Sequence, residues 1–324
     1  MKKATYTIGE ESLQEWESKN GSPAYIVLTG NVSADTFTQL AKEFDYTKYQ
    51  RISFENLAIS NYKYDNGATR SFEEELYSYM TEDGEKLYVL LKLFLNSHHT
   101  KDFVVADNCV FSDDRKTLVH IPEARSVVIL PHVEHIGVGT CCGYEMMSEI
   151  KLNQGLKSIG KGAFILAGIT QLCMPDSVVE LGDNAFLMSD LEKVRLSNSL
   201  VSIPCGCFNL CCIEKINLPS SIKTIGTKAL AGLLWIDEID IPEGVERIDF
   251  DAFEAMCRVS LPSTLKEIAP NFYYEECIDD PQDVPYITVH PDNKTFVSID
   301  GSLYFRESGE LALDAKYNDS EYFD

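Results

Sequence analysis

Hydrophobic positions in the middle of the chain recur at a fixed interval. The set Ile150, Leu152, Ile159, Ala163 and Phe164 returns as Leu172, Leu181, Ala185 and Phe186, and again as Val194, Ile203 and Phe208. It continues as Ile216, Ile225, Ala229 and Leu230, then as Ile239, Ile248, Ala252 and Phe253. The leading positions lie 22, 22, 22 and 23 residues apart. A shortened copy runs from Val259 through Ile268 to Phe272, and a degenerate one from Val128 through Ile136 to Cys141 precedes the set. A period of this length marks a solenoid, in which each unit leaves an apolar face that only its neighbours can cover.

Each unit reads as a coil. The triplet Ile/Val-x-Leu has period 2, which predicts a short strand with both apolar residues inward. Pro131, Pro175, Pro219, Pro242 and Pro262 follow the triplets and, lacking an amide donor, stop them. A second extended piece contributes inward residues such as Ile222 and Ile225. Gly137, Gly160, Gly182 and Gly226 predict a corner with positive φ. The Ala-Phe pair then predicts a short helical turn that plugs the interior. About five large apolar side chains enter each coil, worth roughly 1.5–3 kcal/mol each when fully buried.

The flanks follow other patterns. Tyr25–Leu28 predicts a strand, Ser33 caps a helix carrying Phe37, Leu40, Ala41 and Phe44 at i, i+3, i+4 and i+7, and Arg51–Leu57 predicts a second strand. Residues 61–70 read as an exposed polar loop. Ser71-x-x-Glu74 is a capping box opening a helix to about Met80. From Leu87 to Leu95 the chain is apolar without a decisive period. Phe103–Phe111 and Phe296–Tyr304 each alternate around a tight-turn pair, Asp107-Asn108 and Asp300-Gly301, as hairpins do.

Composition narrows the partners. The chain has 324 residues, 28 basic against 51 acidic, for a net charge of −23. That field repels phosphate backbones and anionic lipid, which argues against nucleic acid and membrane surfaces. No run approaches the ~18 apolar residues of a spanning helix. Lys2 and Lys3 are followed by Glu10 and Glu11 before any apolar stretch, so no signal peptide is read and the chain is expected in the cytoplasm. Ten cysteines, some adjacent (Cys141-Cys142, Cys211-Cys212), read as free, buried thiols of a reducing compartment.

The candidate chemistry is sparse. Cys205, Cys207, Cys211 and Cys212 put four thiols in eight residues, a candidate metal or redox cluster. The spacing lacks the paired C-x2-C halves of zinc ribbons. His132-x-x-His135 ahead of Cys141-Cys142 would need the backbone to twist for both rings to converge, so exposed histidines are expected. His98-His99 is placed in a loop and His120 at a strand end. Asp113-Asp114 and Asp279-Asp280 read as solvated turn pairs, and no calcium-loop spacing occurs. No nucleophile elbow or phosphate loop is present, and no cofactor is expected. The outward positions of the first strand read Lys151, Cys173, Arg195, Asn217, Asp240 and Ser260. Beside them run Glu149, Gln171, Lys193, Lys215, Glu238 and Arg258. A basic centre on an acidic protein suggests a footprint for an acidic partner, with Lys151, Lys193, Arg195, Lys215 and Asn217 as binding-surface candidates.

The pattern L-x-x-I-x-L-P-x-S-V-x-x-I-G-x-x-A-F across these copies resembles the BspA-type leucine-rich repeat of treponemal and other bacterial surface proteins. Both hairpins resemble the segment that interrupts such arrays. The resemblance implies an α/β repeat solenoid, a right-handed coil stack with parallel β-sheet, an N-terminal α/β cap and flanking hairpin modules. The expected divisions are 1–100 for the cap with its acidic helical insert and 101–126 for a hairpin module. Repeats follow over 127–277, with a C-terminal hairpin and acidic tail over 278–324. The function implied is non-catalytic protein–protein interaction, adhesion-related, by a monomeric or weakly associated chain with an unidentified protein partner. By resemblance the alternative location is the cell surface or outside the cell. The rival reading is a thiol-based metal-binding or redox protein built on Cys205–Cys212.

Overall fold

The computed structural model describes residues 3–21, 23–63, 69–71, 74, 88–253, 258–269 and 286–313. The N-terminal unit alternates strands and helices. β1 (Lys3–Thr7), α1 (Leu13–Asn20), β2 (Tyr25–Val32), α2 (Ala34–Glu43) and β3 (Arg51–Ile59) form two successive strand–helix–strand crossovers, with β1, β2 and β3 all parallel. The expected strand–helix–strand is the second of these. The first was not read, although Ser12 and Glu15 form a complete capping box that starts α1.

Two short strands, β4 (Tyr62–Lys63) and β5 (Thr69–Arg70), pair antiparallel where a loop was expected. Ser71 and Glu74 exchange both capping-box bonds, at 2.7 and 3.1 Å, while the body of that helix lies outside the described residues. The ambiguous apolar run is helix α3 (Val89–Asn96). Phe272, Asp279, Asp280 and the acidic tail beyond residue 313 also lie outside the described residues.

β3 passes the sheet to a hairpin of β6 (Asp102–Ala106) and β7 (Cys109–Ser112), and then to β8 (Thr117–His120). Asp107 and Asn108 both take positive φ at the hairpin tip, as the Asp-Asn pair suggested. The edge of β8 then templates the first coil, pairing parallel with His135–Ile136. One nine-stranded sheet therefore runs unbroken from β1 to the two-residue strand Glu180–Leu181. At the far end, strands Phe296–Ile299 and Ser302–Phe305 form the second hairpin, joined by Leu311–Leu313.

Most described coils carry two strands; in the coil of Ile216 the first is reduced to a single bridge at Lys215. The three-residue strands Ser126–Val128, Glu149–Lys151, Gln171–Cys173 and Lys193–Arg195 stack in parallel, and Glu238–Asp240 with the four-residue strands Arg258–Leu261 and Tyr286–Val289 forms a second parallel stack. The two-residue strands stack on another side of the coil. That ladder breaks between Leu181 and Ile203, for a reason visible in the sequence. Gly160, Gly182 and Gly226 each donate their amide to the coil before, and Pro204 has none to give.

The corner glycines serve close approach, not positive φ. A Cβ on Gly160 would sit 2.8 Å from the carbonyl carbon of Gly137, and one on Gly182 would sit 2.2 Å from the amide nitrogen of Lys161. Positive φ falls two residues later, on Gly162, Asn184, Gly206, Lys228 and Asp251.

No helix forms at Ala163-Phe164 or Ala185-Phe186. Residues 160–167 make overlapping four-residue turns, and alternate amides bond the next coil instead. Gly162, Phe164 and Leu166 donate to the carbonyls of Asp183, Ala185 and Leu187 at 2.8–3.0 Å. The aromatic rings do plug the interior. Phe164, Phe186 and Phe208 stack at 5.3 Å with interplanar angles of 2° and 4°, all fully buried. One hydrophobic core runs along the solenoid and a second fills the N-terminal unit.

Candidate functional site

The outward rows of the three-residue strands are where the sequence placed them, because the inward residue of each triplet fills the core. Ile150, Leu172 and Ile239 are buried while their neighbours on both sides are exposed. Glu149, Gln171 and Lys193 occupy consecutive rungs in register, and Lys193 bridges to Lys215. The two lysines are thus brought together on adjacent rungs.

Lys151 and Arg195 are less free. Lys151 pairs with Glu149 at 3.2 Å. Arg195 reaches Asp176 at 3.1 Å and donates to the carbonyl of Met174 at 2.6 Å. Asp176 also accepts the amide of Asn198, and these bonds hold its carboxyl below the usual carboxylate range. Asn217 is exposed but outside any ladder, since the strand of its coil shrinks to the single bridge at Lys215.

The four clustered thiols do not converge. Cys207 and Cys211 are buried in the coil interior, whereas Cys205 and Cys212 are exposed. Burial pushes the Cys207 thiol well above its ordinary value and Cys211 up to about 12. A thiolate is the species that binds metal or attacks a disulfide, so those shifts work against both uses. Cys211 instead donates to the carbonyl of Phe186 at 3.0 Å. Among the described residues, no three His, Cys, Asp or Glu side chains gather as a metal site. Eight described cysteines are free, and Cys173, Cys205 and Cys212 are exposed where burial was expected.

The histidines also scatter. His98, His99 and His132 are exposed, and His135 pairs with Ser158 on the neighbouring rung at 2.8 Å. His120 ends β8 as expected, but buried, within 3.0 Å of the Tyr46 hydroxyl and 3.2 Å of the Tyr144 hydroxyl. A cleft of about 740 Å³ opens between the end of α3 and the two-residue strands, lined by His99, Lys116, His135, Ser158 and Glu180 among others. Lys116 on its wall is engaged by Glu134. Glu134 lies between Lys116, at 2.9 Å, and Lys157, and the two ammonium groups lower its pKa to about 2.

Two features escaped the sequence reading. Lys92 of α3 is fully buried and donates to the Thr140 carbonyl at 2.7 Å and the Tyr144 hydroxyl at 3.1 Å, tying the cap to the first coil. The second is an exposed apolar ridge on the turn side, carrying Met188, Leu210, Leu234 and Trp235. Its signal was present: Leu166, Met188 and Leu210 stand where the first and fifth coils have Gly143 and Gly232.

Comparison with known proteins bears on the fold. The sequence model of the BspA type leucine rich repeat region matches six copies over residues 120–234 and 224–281, half of the chain. Among solved structures, the pneumococcal vaccine antigen PcpA is 15% identical with a TM-score of 0.43, over 63% of this chain and 54% of that one. A leucine-rich repeat protein from Eubacterium ventriosum is 16% identical with a TM-score of 0.32, over 65% and 48%. The leucine-rich repeat protein of T. pallidum is 16% identical with a TM-score of 0.30, over 51% and 81%. The chain spans about half the length of the first two. Among curated proteins there is no match in sequence.

Proposed function

Because this chain belongs to the BspA-type leucine-rich repeat family, we propose that it is a non-catalytic protein-binding platform whose contact surface is the outer face of its three-residue strands. The observation that carries this reading is the pair Lys193 and Lys215, bridged on adjacent rungs and exposed at the centre of a face on a protein of net charge −23. Nothing in coil packing calls for two like charges there, and an acidic partner relieves their repulsion. Lys151, Arg195 and Asn217 flank them. Arg195, held by Asp176 and Met174, presents a guanidinium already fixed in place, which lowers the ordering cost of binding.

The finer reading is adhesion at the bacterial cell surface. It rests on family membership alone, and of the two locations expected from the sequence it is the one we favour. The divisions 1–100, 101–126, 127–277 and 278–324 are kept as functional units, with the repeats as the binding part. The test is the triple variant Lys193→Glu/Arg195→Glu/Lys215→Glu against a partner captured with the full chain. An unchanged melting temperature with at least tenfold weaker, less salt-sensitive binding supports the sheet face, and full affinity rules it out.

A further inference from the structure

Along the turn side of the coils the protein already uses one apolar ridge as a docking surface for itself. Cys142, Ile165 and Leu187 occupy one outward place in three successive coils, and all three are buried in the core of the N-terminal unit, with Leu166 packed beside them. Helix α3 is the element that meets the first of these turns. Asn96 exchanges hydrogen bonds with the backbone of Val138 at 3.0 Å each, and Lys92 donates to the carbonyl of Thr140. At the first turn the occupant is therefore an apolar helix with one lysine on its contact face.

Beside that ridge, the column of Leu166 continues past the point where the N-terminal unit ends, whereas that of Leu187 passes to Asn209 and Ala231. Met188 is 40% exposed, Leu210 47%, Leu234 67% and Trp235 68%. Met188 and Leu210 both have φ of 56°, a left-handed conformation that is unfavourable for a bulky residue. Gly143 and Gly232 show that glycine fits the same place. Leu166 offsets its strain by packing against the N-terminal core; Met188 and Leu210 keep large side chains in strained positions facing water. Leu210 also reaches over Gly232, where a Cβ would come within 2.4 Å of its Cδ2, and so extends the apolar surface towards Leu234 and Trp235.

We propose that this uncovered length of ridge docks an amphipathic helix of a partner protein, with apolar residues on one face and lysine or arginine beside them. The spacing fits. Rungs lie about 4.8 Å apart, and helix residues three and seven apart rise about 4.5 and 10.5 Å. A helix along the stack therefore sets i, i+3 and i+7 over Met188, Leu210 and the Leu234–Trp235 pair, as in helix-on-groove recognition. The charge fits as well. Asp190, Glu214 and Asp237 are exposed where the chain leaves the ridge in three successive coils, with Glu192 beside them. That acidic rim, on a chain of net charge −23, disfavours a second copy of this protein and favours a cationic helix. The inference rests on the reading of the chain as a binding platform but not on its basic strand face.

The full chain supplies its own reporter. Of its two tryptophans, Trp16 is 7% exposed and Trp235 is 68% exposed, so a blue shift of the emission on binding reports the ridge. The probe is an 18-residue synthetic helix with leucine at i, i+3, i+4 and i+7 repeats and lysines flanking them, and its control replaces every lysine with glutamate. The lysine helix is expected to shift the emission to the blue and to bind at least tenfold more tightly than the control. Met188→Asp/Leu210→Asp is expected to weaken it at least tenfold although the variant is more negative. Should the aspartates lower the melting temperature, Met188→Gln/Leu210→Gln gives the same readout. Absence of the blue shift, or equal or tighter binding by the aspartate variant, would mean attraction by net charge alone and overturns the proposal. Lys193→Glu/Arg195→Glu/Lys215→Glu is expected to bind the helix undiminished. Loss there, with the ridge variant unaffected, would place the helix on the strand face and also overturns the proposal.

Discussion

Phe186→Ala tests the repeat frame at its most constrained point. The ring is fully buried between Phe164 and Phe208, 5.3 Å from each and nearly parallel to both. Removing a buried phenylalanine side chain costs about 3–5 kcal/mol, the larger figures applying where the surroundings cannot collapse. Here they cannot easily do so. The amide of Phe186 is bonded to Cys207 at 2.9 Å and that of Phe164 to Ala185 at 2.8 Å, so both neighbouring turns are held at the rung spacing. Two stacked aromatic contacts of about 0.5–1.5 kcal/mol each are lost as well. The expected loss is therefore in the upper half of that range. Urea unfolding followed by circular dichroism measures it, with Phe186→Leu as the companion variant. Leucine stands in this column at Leu230, also fully buried, so Phe186→Leu should cost well under half as much. A loss below about 1 kcal/mol for alanine, or equal losses for both variants, would refute the stacked-ring interior.

Three further outcomes are expected. Met188→Gly should raise stability by up to about 1 kcal/mol in the same assay, because glycine accepts the left-handed conformation at φ 56° without strain. Glu134 has its folded pKa lowered from 4.5 to about 2 by Lys116 and Lys157, so its contribution is complete above pH 4.5 and is lost as pH falls through about 2; Glu134→Gln should flatten the acid limb of the stability profile over that window. Mass-spectrometric mapping of alkylation in the native protein should find Cys173, Cys205 and Cys212 modified quickly and Cys109, Cys141, Cys142, Cys207 and Cys211 slowly, with burial holding Cys141 near 12 and Cys142 near 11. All eight should react once the chain is unfolded without reductant.

Much of the fold was legible because a repeat states the same rule many times. The period-2 triplets at Ile150, Leu172, Val194, Ile239 and Val259 gave the inward and outward rows directly, the one at Ile216 being reduced to a bridge at Lys215, and Asp107-Asn108 marked its hairpin. What stayed hidden depended on contacts between coils. Gly160 and Gly182 look like turn glycines in sequence, yet the next coil's backbone is what excludes a side chain there. The Ala-Phe pairs look like helix starts, yet alternate amides find partners on the neighbouring rung first. Trp235 and Leu234 went unread among the apolar residues of a repeat: Leu234 stands where the two coils before have the exposed Asp190 and Cys212, and Trp235 is the extra residue of its 23-residue coil. Lys92, in an apolar run, gave no sign that its ammonium would be buried against Thr140 and Tyr144.

The claim that the coil stack is a binding platform is tested most directly by hydrogen–deuterium exchange of the full chain, alone and with its captured protein partner. Protection is expected on the solenoid, at the strands Gln171–Cys173 and Lys193–Arg195 and around Lys215 or along the ridge from Met188 to Trp235. Protection confined to the N-terminal unit or to the hairpin around Asp300, with the solenoid unchanged, would contradict it.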